Sequence, residues 1–419
     1  MHAALLFFGL LANIATSDAA RSSGCGQPIP KGLSKGDTGK SNDLTFGTSD
    51  SSTRRYLLHI PDAYDINKPS GLIWSFAGRG KKAEHQEKIT KLSDSAFNSE
   101  YIVIYPQAET NSTLDAQKKK SGTKRLRRQP KKEDESDGGD EYDEDEDDED
   151  EDWQWDEDDS EDDRSAGKNS KGQGQWQGDP DSHVNDVKFT LDLLESIEKS
   201  FCIDDERIYA SGLSNGGGFV ANILACDPVA SKKFAAFAAA SGAYYQNDLK
   251  GKCNADNVPL KCENSGAKVP LVVTHGGSDK VIKYEGGQRR KSCLPSVAHF
   301  VTAWAERDGL GATNVTSKVA NTDVVHYSFG EGANAGMVQS YFVPEMGHRW
   351  PMEKKKAPIS ATKIFMEFFA EWNMTRRDTA AATTGNASSD SSSAALCLSL
   401  SVIHVLGGFV AVILFVTVL

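Results

Sequence analysis

The run Arg207-Ile208-Tyr209-Ala210-Ser211-Gly212-Leu213-Ser214-Asn215-Gly216-Gly217-Gly218-Phe219-Val220-Ala221-Asn222-Ile223-Leu224 sets a G-x-S-x-G elbow, Gly212 to Gly216, between two apolar segments. Arg207 to Ala210 reads as a short buried strand, and Gly217 to Leu224 as a helix opened by small residues. A serine held in such a sharp turn needs glycine on both sides, because its backbone is strained and neighbouring elements crowd it. The helix that follows aims N–H groups toward charge developing beside Ser214. A bare G-x-S-x-G is common by chance; the strand, turn and helix around it give it weight.

Working outward, apolar runs recur at Tyr56–Ile60, Leu72–Phe76, Tyr101–Tyr105, Phe234–Ala238, Val269–Thr274 and Val338–Val343. Helical periodicity lies between them. Over His183–Phe201 it places Val187, Leu191, Leu194 and Ile197 on one face, and Pro295–Arg307 and Ile359–Trp372 behave similarly. Strands alternating with helices predict an α/β fold, a mostly parallel sheet with helices on both faces. Ligands in such sheets sit beyond the carboxyl ends of the strands, where the glycine-rich turns Gly78-Arg79-Gly80, Gly212–Gly218, Gly276-Gly277 and Gly347 fall.

A serine hydroxyl becomes nucleophilic only beside a base that is itself oriented. Downstream of Ser214, the strand Val272–Thr274 runs into His275-Gly276-Gly277-Ser278-Asp279, and Phe342–Pro344 runs into Glu345-Met346-Gly347-His348-Arg349-Trp350. The reading assigns Ser214 as nucleophile, Asp279 as acid and His348 as base. Asp308 and Asp323 are rival acids that follow no buried strand as cleanly, and His275 is assigned to packing. An oxyanion hole is expected from the main-chain N–H of Asn215 with that of Gly78 or Arg79.

Gly212 to Phe219, His275 to Asp279, Tyr284-Glu285-Gly286-Gly287 and Gly347-His348-Arg349-Trp350-Pro351 together resemble secreted fungal feruloyl esterases of carbohydrate esterase family one, which are related to polyhydroxybutyrate depolymerases. Tyr105-Pro106-Gln107 and Trp176-Gln177-Gly178-Asp179-Pro180 look like one family segment split by an insertion. The resemblance covers about Cys25 to Trp372 and implies an α/β-hydrolase fold. It also implies release of hydroxycinnamic acids from plant cell-wall polysaccharide, with Trp176 and Trp350 as weaker substrate-binding candidates. Acetylxylan esterase and polyester depolymerase are the alternatives within this chemistry. The chain departs from the family at Ala77, where a histidine usually precedes the oxyanion-hole glycine. Tannase-like esterases are disfavoured, since no cysteine flanks Ser214 or His348.

Between 117 and 175 the composition changes. Residues 117–176 hold 23 acidic and 12 basic residues, while the 419-residue chain carries a net −13, which leaves about −2 for the rest. Such a basic-then-acidic stretch is expected to be disordered. A non-catalytic surface protein that binds through this acidic loop is the reading from a different class. The basic run is too short, and too close to compensating acid, to indicate nucleic acid.

The N-terminus, 1–20, reads as a secretory signal peptide. The catalytic domain is expected over 21–376, a Ser/Thr-rich linker over 377–393, and a hydrophobic tail over 394–419 that resembles a glycosylphosphatidylinositol attachment signal, hence a lipid anchor at the cell surface. Cys25, Cys202, Cys226, Cys253, Cys262 and Cys293 are disulfide candidates, with Cys253 and Cys262 expected as a local pair. Asn111, Asn314 and Asn373 open glycosylation sequons. No Cys/His ligand spacing appears, so neither metal nor cofactor is expected.

Overall fold

The computed structural model describes residues 21–36, 41–48, 53–109, 174–246, 253–262, 266–354 and 356–385. The expected leader, most of the acidic insertion, Asn111 and the hydrophobic tail lie outside the described residues. In chain order come β1 (Asn42–Gly47), β2 (Thr53–His59), β3 (Ser70–Phe76), α1 (Ala83–Thr90) and β4 (Ile102–Pro106). After 174 follow α2 (Asp186–Ser200), β5 (Ile203–Leu213), α3 (Asn215–Gly218, continuing as a wider π turn over Phe219–Leu224), β6 (Ala236–Ala240) and β7 (Leu271–Gly276). The chain then forms β8 (Gly287–Arg289), β9 (Ser292–Leu294), α4 (Val297–Arg307), β10 (Asn314–Lys318), β11 (Val325–Phe329) and β12 (Val338–Val343). It closes with β13 (Met352–Lys354), β14 (Ala357–Ser360), α5 (Ala361–Glu371) and α6 (Met374–Gly385).

Among the described residues ten strands form one sheet in the order β1-β2-β4-β3-β5-β6-β7-β12-β11-β10. The six from β4 to β12 run parallel, and antiparallel strands flank them on both sides. Strands β3, β4, β6 and β7 are buried at every position. Burial on both faces is why they read as unbroken apolar runs. Leu72, Trp74 and Phe76 enter one hydrophobic cluster with Leu193, Ile197, Phe219, Leu224 and Phe300 of α2, α3 with its π turn, and α4. Ile73, Val103, Tyr209 and Val272 enter the other, with Ala83, Phe365, Phe369 and Ala380 of α1, α5 and α6. Alternate side chains along each strand therefore meet opposite helical layers.

Helix starts follow local chemistry. Asn185, Ser296 and Ser360 each place a side-chain oxygen on the N–H three residues ahead, the usual N-cap bond. The edge strands were missed in the sequence because β1 alternates half-buried with exposed residues and β10 is almost wholly exposed. The expected linker also needs correcting. Residues 377–385 continue α6, and Arg377, 2 % exposed, donates to the carbonyls of Ser231 and Phe234.

Among the described residues there are three disulfides: Cys25–Cys202, Cys226–Cys262 and Cys253–Cys293. The expected Cys253–Cys262 pair is therefore overturned. Cys262 turns back to the end of the elbow helix, whereas Cys253 meets β9, where Gln246 N donates to the Cys293 carbonyl over 2.8 Å. Closeness in sequence carried no information about which strand each cysteine would meet.

Candidate active site

Ser214 lies between the end of β5 and the start of α3 with φ 55° and ψ −119°. This left-handed φ is a strained conformation for a side-chain-bearing residue. Close approach explains the flanking glycines. A Cβ on Gly216 would sit 2.3 Å from the Phe76 carbonyl oxygen, and one on Gly212 would sit 2.5 Å from Gly216. The turn is fixed from the adjacent strand, since Ser214 N donates to Ala240 O (3.0 Å) and Ala243 N to Ser214 O (3.0 Å).

Asp279 and His348 come from the neighbouring strand ends. β7 and β12 pair in parallel, with Val343 opposite Gly276, and their loops are tied together as they leave the sheet. Gly277 N donates to Val343 O (2.9 Å) and Ser278 N to Met346 O (3.1 Å). His348 Nδ1 then lies 2.7 Å from Asp279 Oδ2. The other carboxylate oxygen accepts the N–H groups of Val281 (2.9 Å) and Ile282 (2.8 Å). Burial alone would raise the Asp279 pKa, but the charge of His348 and hydrogen bonds from His275 and His348 outweigh it. The carboxyl is held well below the usual range.

Fully buried His275 has its Nε2 2.7 Å from the Ile282 carbonyl oxygen and 3.4 Å from Asp279 Oδ2. Packing was the right expectation, with the addition that what it packs against is the acid's loop. The rival acids stand elsewhere: Asp308 accepts from Val269 N and Arg307, and exposed Asp323 pairs with Lys318.

Ser214, Asn215 and His348 line one cavity of about 230 Å³. Asn215 is the first residue of α3, so its N–H has no acceptor within the helix. Arg79 lines the same cavity, and a Cβ on Gly78 would lie 3.5 Å from the Ser214 Cβ. The expected oxyanion loop is thus beside the serine. Ala243, Tyr245, Val281 and Ile282 give the cavity its less polar wall, and Lys81, Asp179, Arg289 and Arg290 its charged one.

Trp176 and Trp350 do not line the cavity. Trp176 is fully buried, packs on Phe76 and Phe219, and donates from Nε1 to the Ala77 carbonyl (2.8 Å). Its own N–H donates to Asn215 Oδ1 (2.8 Å). Trp350 packs on Phe365 and bonds Thr362. Both support the loops that carry the site. The described residues on either side of 110–173 meet, with Gln175 N donating to Glu109 O (3.1 Å). Gly174 O accepts from Gly80 N (2.8 Å) at the cavity edge. Of the other sequons, Asn373 is exposed and caps α6, and Asn314 opens β10. The sequence reading missed Tyr245, Arg289 and Arg290; the only signal was a basic Arg-Arg-Lys turn between two very short strands.

No family model matches the chain. A curated protein named probable feruloyl esterase C, from Aspergillus flavus, is 22 % identical over 303 residues, covering 72 % of this chain and 78 % of that one. Solved structures similar in shape include an acetyl xylan esterase from Aspergillus awamori (13 % identity, TM-score 0.46, covering 79 % of this chain and 99 % of that one). A CE1 ferulic acid esterase from Anaeromyces mucronatus is another (12 % identity, TM-score 0.39, covering 83 % and 94 %). The strand order and the serine elbow at the end of β5 give this chain an α/β-hydrolase fold, with Ser214 and His348 at one cavity and Asp279 against the histidine.

Proposed function

We propose that the chain hydrolyses esters of plant cell-wall polysaccharide outside the cell, hydroxycinnamoyl esters first among them, with Ser214, His348 and Asp279 as its triad. Ser214 Oγ attacks the ester carbonyl carbon while His348 takes the hydroxyl proton. The carbonyl oxygen becomes an anion held by the N–H groups of Asn215 and of Gly78 or Arg79. Collapse breaks the bond to the alcohol, which leaves with the proton from His348. Water then attacks the acyl-enzyme as His348 accepts its proton, and collapse breaks the bond to Ser214 Oγ, which takes that proton back as the free acid departs. The single observation that carries this reading is the buried 2.7 Å contact between His348 and Asp279 beside the cavity that Ser214 lines.

Three sources support the finer claims. The Aspergillus flavus relative bears a feruloyl esterase name. Tyr245, Val281 and Ile282 offer a wall against which a cinnamoyl ring could pack. Three disulfides suit an oxidising, extracellular compartment, in keeping with the leader and lipid-anchor signals in the sequence. Rates of the purified protein on methyl ferulate, acetylated xylan and a hydroxybutyrate oligomer test the assignment. Fastest turnover of methyl ferulate, lost in Ser214→Ala, is expected. Preference for acetyl or hydroxybutyrate esters would move the chain to that subclass, and no serine-dependent turnover of any ester would end the reading.

A further inference from the structure

The cavity beside Ser214 is more cationic than a neutral feruloyl sugar requires. Arg79, Lys81, Arg289 and Arg290 line it, against Asp179 in the lining and Asp181 next to it. The arginine heads are held in place. Arg289 donates from Nε to Val281 O (3.0 Å) and from Nη1 to the Tyr245 hydroxyl (2.6 Å). Arg290 Nη1 is 3.1 Å from Asp181, and Arg79 lies 3.4 Å from Asp179 and 3.6 Å from Asp181. Each guanidinium carries five N–H donors, more than these partners occupy. Side chains of Arg79 and Arg290 are only 12 % and 14 % exposed, so their charge is less screened than at an open surface.

Backbone geometry supplies an independent sign. Arg289 pairs with Ser292 across a two-residue turn made of Arg290 and Lys291, with φ of 48° and 60°. Two successive left-handed residues are the setting in which hairpins strongly prefer Asn-Gly. Here two long cations occupy it, and the strain is retained where Arg290 meets the cavity. The hairpin itself is rigidly tied to the body by Cys253–Cys293 and by Gln246 N donating to Cys293 O (2.8 Å).

We propose that the preferred ester carries a carboxylate, as a uronate-containing ester does, and that Arg290 and Arg289 of the β8–β9 hairpin bind it beside Ser214. This rests on the ester-hydrolase reading above and narrows its substrate class.

Two isosteric pairs test it: carboxymethyl against carbamoylmethyl ferulate, with the charge on the alcohol, and monomethyl succinate against methyl succinamate, with the charge on the acid. In at least one pair the anion is expected to have a kcat/KM roughly tenfold higher, carried by KM, as one charge-assisted hydrogen bond provides. That preference should shrink with added salt. Arg290→Gln should reduce the anion-to-neutral ratio toward one, and Arg290→Lys should restore most of it. Replacing Arg290-Lys291 by Asn-Gly should abolish the ratio while raising Tm by roughly 2–4 °C, which separates lost recognition from lost folding. Equal rates within both pairs, or a ratio untouched by Arg290→Gln, overturn the proposal. Activity that survives Ser214→Ala overturns the hydrolase reading instead, so the two failures are distinguishable.

Discussion

Asp279→Asn is the substitution whose consequence follows most closely from the geometry. Asp279 Oδ1 accepts Val281 N and Ile282 N at 2.9 and 2.8 Å, and an asparagine oxygen in that place would still accept both. The amide nitrogen would then occupy the Oδ2 position, 2.7 Å from His348 Nδ1. An NH₂ group cannot accept a hydrogen bond. His348 would have to present a bare Nδ1 and carry its proton on Nε2, leaving no lone pair to take the Ser214 proton. A wrong tautomer in a triad with intact geometry costs about 10⁴ in kcat, or about 5 kcal/mol of barrier. The assay is initial-rate hydrolysis of methyl ferulate near neutral pH, with circular dichroism to verify folding. KM should change little, because the cavity lining is untouched. A folded Asp279→Asn protein with kcat within tenfold of the original would refute the assignment of this carboxylate.

Three further outcomes follow from the same structure. Because the folded-state pKa of Asp279 is depressed, its contribution to stability is present above the unfolded carboxylate pKa and lost as pH falls through the folded value. Urea midpoints of the native protein should therefore drop below about pH 4, and Asp279→Asn should flatten that drop; an unchanged slope would contradict the pairing. Trp176→Ala removes a fully buried ring and should destabilise by about 3–5 kcal/mol, whereas Trp176→Phe should lower Tm and leave KM for methyl ferulate nearly unaltered; a rise in KM without loss of Tm would return Trp176 to the substrate. Cys25 and Cys202 close a loop 177 residues long, so replacing both with serine should cost about 2–5 kcal/mol in denaturant unfolding; an unmoved midpoint would show that the bond does not constrain the unfolded chain.

What the sequence disclosed, and what it withheld, follows the physics of each residue. Parallel strands buried on both faces announce themselves as apolar runs, so β3, β4, β6 and β7 were legible within a few residues of their ends. The elbow was legible because glycines that must admit a neighbouring backbone have no substitute. The meeting of Asp279 with His348 was foreseeable because each follows a parallel strand into a turn, and adjacent parallel strands bring such turns together. Edge strands β1 and β10, and β11 between β10 and β12, were not legible, since a polar strand half in water looks like a loop. Nor was α6, whose Met374-Thr375-Arg376-Arg377 opening gives little sign that Arg377 will be buried against two carbonyls. Disulfide partners depended on which strands lie side by side, and the hairpin arginines on a turn conformation that their residue types disfavour.

The central claim is that Ser214 is the activated nucleophile. Treating the intact protein with a fluorophosphonate and mapping the adduct by mass spectrometry tests it most directly. A single adduct on the peptide containing Ser214, absent from Ser214→Ala and slowed in Asp279→Asn, is expected. An adduct on another residue, or labelling of Ser214→Ala at the original rate, would contradict it.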